Sequence, residues 1–144
     1  MTGPNVAFVC VGNAGRSQLA TAFAERERDQ RGLDVKIVTG GTDPADHVHE
    51  EVVAVLDEEG IDIGDRRPRR ITPTLIADVD HVVTMGCTVE AFRPKGWNGS
   101  TEVWELDHPG GEDLEEYRAQ RDEIRDRVRS LFDRIERGEI PTQP

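Results

Sequence analysis

The chain has 144 residues and a formal charge of −11, with 29 acidic residues against 18 basic ones. This length fits one domain with a modest hydrophobic core, and the negative charge argues against a nucleic-acid partner. We expect neither a membrane segment nor a secreted protein, because no run approaches ~20 apolar residues, no signal-peptide pattern is present and two cysteines make no disulfide framework.

The acidic residues come with very few lysines, of which Lys36 and Lys95 are the only two. An acidic, lysine-poor surface with few aromatic residues suits a cytoplasm of high salt concentration, where screening makes self-repulsion tolerable. We therefore expect a cytoplasmic protein from a halophilic microorganism, with an ordinary acidic protein as the alternative.

Strand-like and helical patterns alternate along the chain. The predicted strands are 6–10, 35–39, 81–85 and 102–106, and the predicted helices are 17–30, 47–59, a short one after Thr72, and 112–137. This alternation predicts a single α/β domain with a four-stranded parallel sheet and helices on both faces. The domain should cover 1–137, with a frayed tail at 138–144, and the longest irregular stretch is 86–101.

The most informative segment, VAFVCVGNAGRSQLATAF, joins the first predicted strand to the first predicted helix. The strand ends on Cys10, the helix begins at Arg16 and Ser17, and the loop between them consists of Val11, Gly12, Asn13, Ala14 and Gly15. Backbone N–H groups curled in front of a helix N-terminus bind a tetrahedral oxyanion and stabilise a thiolate at the same place. We expect Gly12 and Gly15 to supply the positive φ angles that such a loop needs.

The side chains around this loop suit chemistry on an oxyanion. The planar guanidinium of Arg16 can hold two anion oxygens at once. Ser17 is placed to donate a hydrogen bond to the sulfur or to cap the helix. With Cys10 at the bottom of the loop, the pattern predicts nucleophilic attack by sulfur on phosphorus or arsenic. A small buried cysteine without chemistry is the alternative.

At these residues the chain resembles the low-molecular-weight protein tyrosine phosphatase superfamily, whose signature is Cys, five residues, Arg, then Ser or Thr. Within it, CVGNAGRSQLATAF is most similar to the thiol-linked arsenate reductases. The resemblance extends through GGTDPADHV at 40–48, EEGIDIGDRRPRRIT at 58–72, DHVVTMGC at 80–87 and WELDHPGG at 104–111. It implies a phosphatase-type anion loop after the first strand, an enzyme with Cys10 as nucleophile, and no bound cofactor or metal.

A phosphatase of this kind also needs an acid to protonate the leaving oxygen. The carboxyl ends of parallel strands share one edge of the sheet, so residues after the fourth predicted strand should lie near Cys10. The resemblance places the acid directly before a proline, where this chain has His108 before Pro109 and Asp107 one position earlier. Both residues remain candidates, and Asp107 is favoured.

Arsenate reduction needs instead a second thiol, which attacks the Cys10–arsenic adduct and releases arsenite. The resemblance places Cys87 close to the second cysteine of thioredoxin-linked members. Their third cysteine is absent, because Arg93 precedes Pro94 here. Either Cys87 forms a disulfide with Cys10, or an external thiol resolves the adduct. The external reductant would be thioredoxin, glutaredoxin or a low-molecular-weight thiol.

Three functions compete on these grounds. The first is an arsenate reductase serving arsenical resistance, the second a low-molecular-weight protein tyrosine phosphatase or phosphomonoesterase that forms a phosphocysteine, and the third a non-catalytic anion sensor or phosphocarrier. A phosphotyrosine pocket needs aromatic walls, and with Tyr117 far away in sequence we expect Trp97 and Phe92 to form them. His47 and His49 are more typical of a helix start than of a metal site.

Overall fold

The computed structural model of the protein describes residues 3–106 and 113–143. Its strands are β1 (Val6–Cys10), β2 (Ile37–Gly41), β3 (His81–Met85) and β4 (Ser100–Val103). Its helices are α1 (Arg16–Arg31), α2 (Glu50–Asp57), α3 (Pro73–Ile76) and α4 (Leu114–Glu136), with a short 3-10 turn at Val89–Ala91. Among the described helices, none is long and apolar enough to cross a membrane.

The four strands form one parallel sheet in the order β2-β1-β3-β4, which confirms the predicted α/β architecture. In this register Cys10 lies beside Gly41 of β2 on one side and beside Met85 of β3 on the other. The carboxyl ends of the strands therefore meet at one rim, as expected for parallel strands. β2 runs two residues beyond its predicted end because pairing with β1 keeps its two glycines extended.

Helices cover both faces of the sheet, but unequally. The larger core lies on the face covered by α1, α2 and α4, and it includes Phe8, Cys10 and Val83 from the strands. The smaller core lies on the opposite face, where α3 and the 86–99 segment cover alternate strand residues such as Ala7 and Val9. β1 is buried on both faces over its whole length, as a central parallel strand should be.

Helix α4 connects the rim to the far end of the molecule. Its apolar stripe faces the sheet through Tyr117, Ile124, Val128, Leu131 and Ile135, all of them buried. At its carboxyl end, Asp133 and Glu136 pair with Arg31 in the last turn of α1. Because α1 begins at the rim and ends at this contact, the amino-terminal turns of α4 lie near the rim.

Glu102 fixes the edge strand β4 to its neighbours. Its carboxylate accepts hydrogen bonds from His81 Nε2 at 2.8 Å, Arg134 Nη2 at 2.9 Å and Trp104 Nε1 at 2.7 Å. Burial disfavours its charge, but these three donors lower the pKa of Glu102 to about 2. The network holds the start of the segment that leads from β4 toward Asp107.

The carboxyl-terminal segment differs from the frayed tail that was predicted. Ile140 is buried, and the backbone N–H of Gln143 donates to Asp80 Oδ1 at 2.8 Å. The Gln143 side chain also donates to the Val79 carbonyl at 2.7 Å. These contacts close the amino-terminal end of the sheet, so the domain extends to residue 143 in the part of the chain described.

Candidate active site

Cys10 lies at the end of β1, with its sulfur buried between two hydrogen-bonding groups. The Sγ atom is 2.9 Å from Ser17 Oγ and 3.2 Å from the backbone N of Asn13. Ser17 Oγ accepts a hydrogen bond from Asn13 Nδ2 at 2.7 Å, which leaves the serine hydrogen free to donate to the sulfur. These two hydrogen bonds fix the position of the sulfur at the bottom of the loop.

The loop 11–15 is curled because its carbonyl groups are bound from outside. The segment 42–49, which follows β2, donates N–H groups to three of these carbonyls and to that of Cys10 directly before them. The pairs are Thr42 to Cys10 at 3.2 Å, Asp43 to Val11 at 2.9 Å, Ala45 to Gly12 at 3.0 Å and His49 to Ala14 at 2.9 Å. With these carbonyls turned outward, the Asn13 N–H points to the sulfur, and the loop lines a cup suited to an oxyanion.

Asn13 supplies the positive φ angle in this loop, so the prediction for Gly12 and Gly15 was wrong. Its φ is 51°, whereas that of Gly15 is −132° and Gly12 is not among the glycines with positive φ. Asparagine tolerates this region because its short polar side chain can bond locally. Here that side chain is buried and binds Ser17, Thr39, Gln18 and the backbone N–H of Arg69.

Gly41, at the end of β2, allows the cup to lie against the sheet. A Cβ atom on this residue would lie 2.4 Å from the Val11 carbonyl oxygen and 3.0 Å from the Asn13 backbone N. Both are backbone atoms, so no side-chain rearrangement could relieve the overlap. Sequence reasoning missed this role, although the Gly40–Gly41 pair at a strand end is the signal that could have found it.

Arg16 is the first residue of α1, and its guanidinium lies over Gly86, directly after β3. A Cβ on Gly86 would lie 3.0 Å from Arg16 Nη2, and the φ of Gly86 is +85°. Within residues 3–106 and 113–143, no carboxylate pairs with Arg16. The guanidinium therefore stands at the mouth of the cup with its hydrogen-bond donors available for an anion.

Cys87 follows Gly86 and lies behind the cup on the opposite face of the sheet. Its Sγ donates to the Val9 carbonyl at 3.6 Å and the side chain packs against the smaller core, whereas Cys10 belongs to the larger core on the other face. Burial, assisted by the nearby Cys10, raises the pKa of Cys87 to about 11. Both cysteines are free, and a disulfide between them requires Cys87 to move toward the cup.

The walls of the cup differ from those predicted. A cavity of about 240 Å³ above Cys10 is lined by the loop, Arg16, His49, Tyr117 and Gln120. Trp97 and Phe92, the predicted walls, are buried in the smaller core on the other face of the sheet. Tyr117 reaches the cup because α4 begins at the rim of the sheet. This placement depends on the tertiary fold and cannot be read from the distance between the residues in sequence.

Asp107 and His108, the two candidates for the acid, lie outside the described residues. Leu106 lines a cleft that also contains Arg16 and Cys87. His47 and His49 lie directly before α2, and His49 occupies the N-cap without a side-chain capping bond. No group of three metal-ligating side chains occurs among the residues described.

Comparison with known proteins adds a family and named relatives. The family described as low molecular weight phosphotyrosine protein phosphatase matches residues 5–140. A protein of Halobacterium salinarum provisionally named an arsenate reductase is 51% identical over 128 residues, which cover 88% of this chain and 89% of that protein. The glutaredoxin arsenate reductase of Synechocystis is 33% identical over 90% of this chain and 97% of its own length.

One solved structure extends this similarity to the fold. The thioredoxin-dependent arsenate reductase of Corynebacterium glutamicum is 34% identical to this chain, with a TM-score of 0.76. The match covers 95% of this chain and 64% of that protein, so the present chain spans somewhat less than two thirds of its length.

Proposed function

The chain belongs to the low molecular weight phosphotyrosine protein phosphatase family, whose members act through a cysteine nucleophile. We propose that this chain is an arsenate reductase. The observation that carries this choice is the second cysteine, Cys87, which lies just past Gly86 and lines the same cleft as Arg16. A reductase needs a second thiol at this place, and a phosphatase does not. The 51% identity with a protein named as a reductase supports the same choice.

In the proposed reaction, the Cys10 thiolate attacks arsenic while the cup N–H groups and Arg16 hold the arsenate oxygens. An oxygen leaves as water and a sulfur–arsenic bond forms, with Asp107 or His108 as the proposed proton donor. Cys87 then attacks the Cys10 sulfur. The sulfur–sulfur bond forms, the electron pair of the sulfur–arsenic bond passes to arsenic, and arsenite leaves in the trivalent state.

The raised pKa of Cys87 fits the order of these two steps, in which Cys10 reacts first. At neutral pH a thiol with a pKa of about 11 is almost wholly protonated, so Cys87 is a poor nucleophile until its surroundings change. The nearby charge of Cys10 contributes to that pKa, and the adduct removes the free thiolate. Arg16 already acts in the opposite direction on Cys87 and favours its thiolate.

A phosphatase is the second candidate, and Tyr117 is the observation that favours it. This aromatic side chain lines the cup together with His49, as a pocket for an aryl phosphate requires. In that reaction Cys10 would form a phosphocysteine, and the acid after β4 would protonate the leaving phenol. The second cysteine would then have no part in turnover.

We place the reaction in a cytoplasm of high salt concentration, where it would serve arsenical resistance. The support is the formal charge of −11 and the scarcity of lysine. The substrate would be a small oxyanion, and the electrons would come from an external dithiol protein such as thioredoxin or glutaredoxin, or from a small thiol. No nucleic acid or membrane has a part in this proposal.

The proposal is tested with two assays on the purified chain in high salt. We expect arsenite release from arsenate with dithiothreitol, and a kcat/KM for arsenate at least about tenfold above that for an aryl phosphate, because the cup fits a small anion. Arsenite is measured directly and the phenol by its absorbance. Efficient hydrolysis of the aryl phosphate without arsenite release would replace the reductase by the phosphatase.

The role of Cys87 is tested in a single turnover without added thiol. We expect the reduced parent to release one equivalent of arsenite and to acquire a Cys10–Cys87 disulfide, seen by mass spectrometry after digestion. Cys87→Ser should release less than about one hundredth as much, since no second thiol can expel arsenite. Its hydrolysis of an aryl phosphate should stay within about threefold of the parent, because that step uses only Cys10 and the cup.

The same experiment identifies an external resolving thiol. If Cys87→Ser turns over arsenate as fast as the parent once a thiol is added, and Cys10 is trapped in a mixed disulfide with that thiol, Cys87 is not the resolving residue.

A further inference from the structure

The arginines of this chain divide into two groups. Most pair with carboxylates, above all along α4, where Arg118, Arg121 and Arg125 bind Glu58 and Glu59 of the α2 end. Arg67, Arg69 and Arg70 are exposed, and none of them pairs with a carboxylate of the described residues. We call residues 67–70, with sequence Arg-Pro-Arg-Arg, the arginine strip.

The arginine strip is bonded directly to the cup. The backbone N–H of Arg69 donates to Asn13 Oδ1 at 3.0 Å, and its carbonyl accepts from the N–H of Gly41 at 2.8 Å. The guanidinium of Arg70 donates to the Thr42 carbonyl at 2.9 Å, and Arg70 forms a parallel bridge with Gly41. The strip therefore extends the rim beyond the edge strand β2, beside the mouth of the cup.

The charge of the strip calls for a partner outside the chain. Three like charges within four residues repel one another, and the acidic residues of the neighbouring loops, Asp43 and Asp65, do not come within ion-pair distance of them. The rest of the chain is strongly acidic, since the whole chain carries a formal charge of −11 with the strip included. A long polyanion would meet that negative surface on either side, whereas a compact acidic patch about 10 Å across would meet only the strip.

We propose that the arginine strip docks an acidic patch on the dithiol redox protein that reduces the Cys10–Cys87 disulfide, an inference that rests on the proposed reductase function. One partner thiolate attacks a sulfur of this disulfide and displaces the other as a thiolate. The second partner thiol attacks the resulting mixed disulfide and releases the chain. The partner leaves as a disulfide, and two electrons and two protons have passed to Cys10 and Cys87.

The test compares two double variants with equal changes of charge. Arg67→Gln/Arg69→Gln removes two strip charges and keeps the backbone bonds of Arg69 and the Arg70 bond to Thr42. Arg129→Gln/Arg137→Gln removes two exposed arginines from the far end of α4, away from the cup. Each protein reduces arsenate with an acidic thioredoxin, kept reduced by thioredoxin reductase and NADPH, or with dithiothreitol, which needs no docking.

We expect the KM for thioredoxin to be about tenfold higher in the strip variant than in the parent, since charged patches mainly change the rate at which two proteins associate. Its rate with dithiothreitol should stay within about twofold of the parent, and the control variant should match the parent in both assays. The difference between parent and strip variant should shrink as salt is raised within the range where both stay folded.

Three results separate the ways in which this inference could fail. An unchanged KM for thioredoxin in the strip variant overturns the docking surface while leaving the reductase intact. A weaker hydrolysis of an acidic phosphopeptide, with thioredoxin unaffected, assigns the strip to a substrate instead and also overturns it. A parent that releases no arsenite with dithiothreitol overturns the reductase itself.

Discussion

Cys10→Ser is expected to lower turnover of both arsenate and an aryl phosphate by at least about a thousandfold, since nucleophile replacements of this kind have such effects. At neutral pH a serine hydroxyl gives almost no alkoxide, and the cup has no base in hydrogen-bond contact with position 10 to generate one among the residues described. The two donors that serve the sulfur, Ser17 and the Asn13 N–H, would then face a neutral hydroxyl.

The fold of this variant should be retained, and this separates loss of chemistry from loss of structure. Serine is slightly smaller than cysteine and can keep both hydrogen bonds in the cup, so thermal unfolding followed by circular dichroism should differ by only a few degrees. Cys87→Ser is the matched control in the aryl phosphate assay and in thermal unfolding, because it removes the other thiol but leaves the cup intact. Activity of Cys10→Ser within tenfold of the parent would show that another group is the nucleophile.

The sequence was most informative where strands end abruptly. β1 and β3 were predicted with the bounds that the structure has, because each is an apolar run followed at once by a loop or a glycine. β2 was misplaced because Gly40 and Gly41 have low strand propensity, and only pairing with β1 makes them extended. β4 was misplaced because this edge strand alternates half-buried and exposed residues and lacks an apolar run.

The candidate site was predictable only where its residues are close in sequence. The spacing of Cys10, Arg16 and Ser17 places them on one strand, loop and helix start; in the structure Ser17 contacts the Cys10 sulfur, and Arg16 lines the same cavity as Cys10. Tyr117 could not be assigned to the cup, because its position depends on how α4 crosses the sheet. The same holds for His49, whose N–H supports the loop from outside.

Asn13 shows why local rules gave the wrong residue for the turn. Glycine is the usual choice for a positive φ, and the loop has two glycines. The buried amide of Asn13 instead gains hydrogen bonds to Ser17, Thr39 and the Arg69 backbone, which only the folded chain provides. The tertiary bonds therefore decide where the left-handed residue lies.

Arg16→Lys is expected to lower kcat/KM for arsenate by about 100- to 1000-fold, a typical cost of losing one oxyanion donor. The guanidinium lies flat over Gly86, where its planar fork can hold two oxygens of the five-coordinate transition state. The ammonium of lysine keeps the charge but is a compact point donor on a shorter reach. Inhibition by phosphate should weaken less than turnover does, because the second oxygen contact matters most in the transition state.

Arg26→Lys is the matched control for this change. Arg26 lies on the same helix, over the ring of Phe23, and its guanidinium donates to the Glu59 carbonyl rather than to the cup. Replacing it should leave kcat/KM within about twofold, as for most surface substitutions. If the kcat/KM of Arg16→Lys also stayed within a few-fold of the parent, the reaction would need the guanidinium of Arg16 no more than that of Arg26. The oxyanion would then be held by the backbone N–H groups of the cup alone, and Arg16 would serve only as a charge at its mouth.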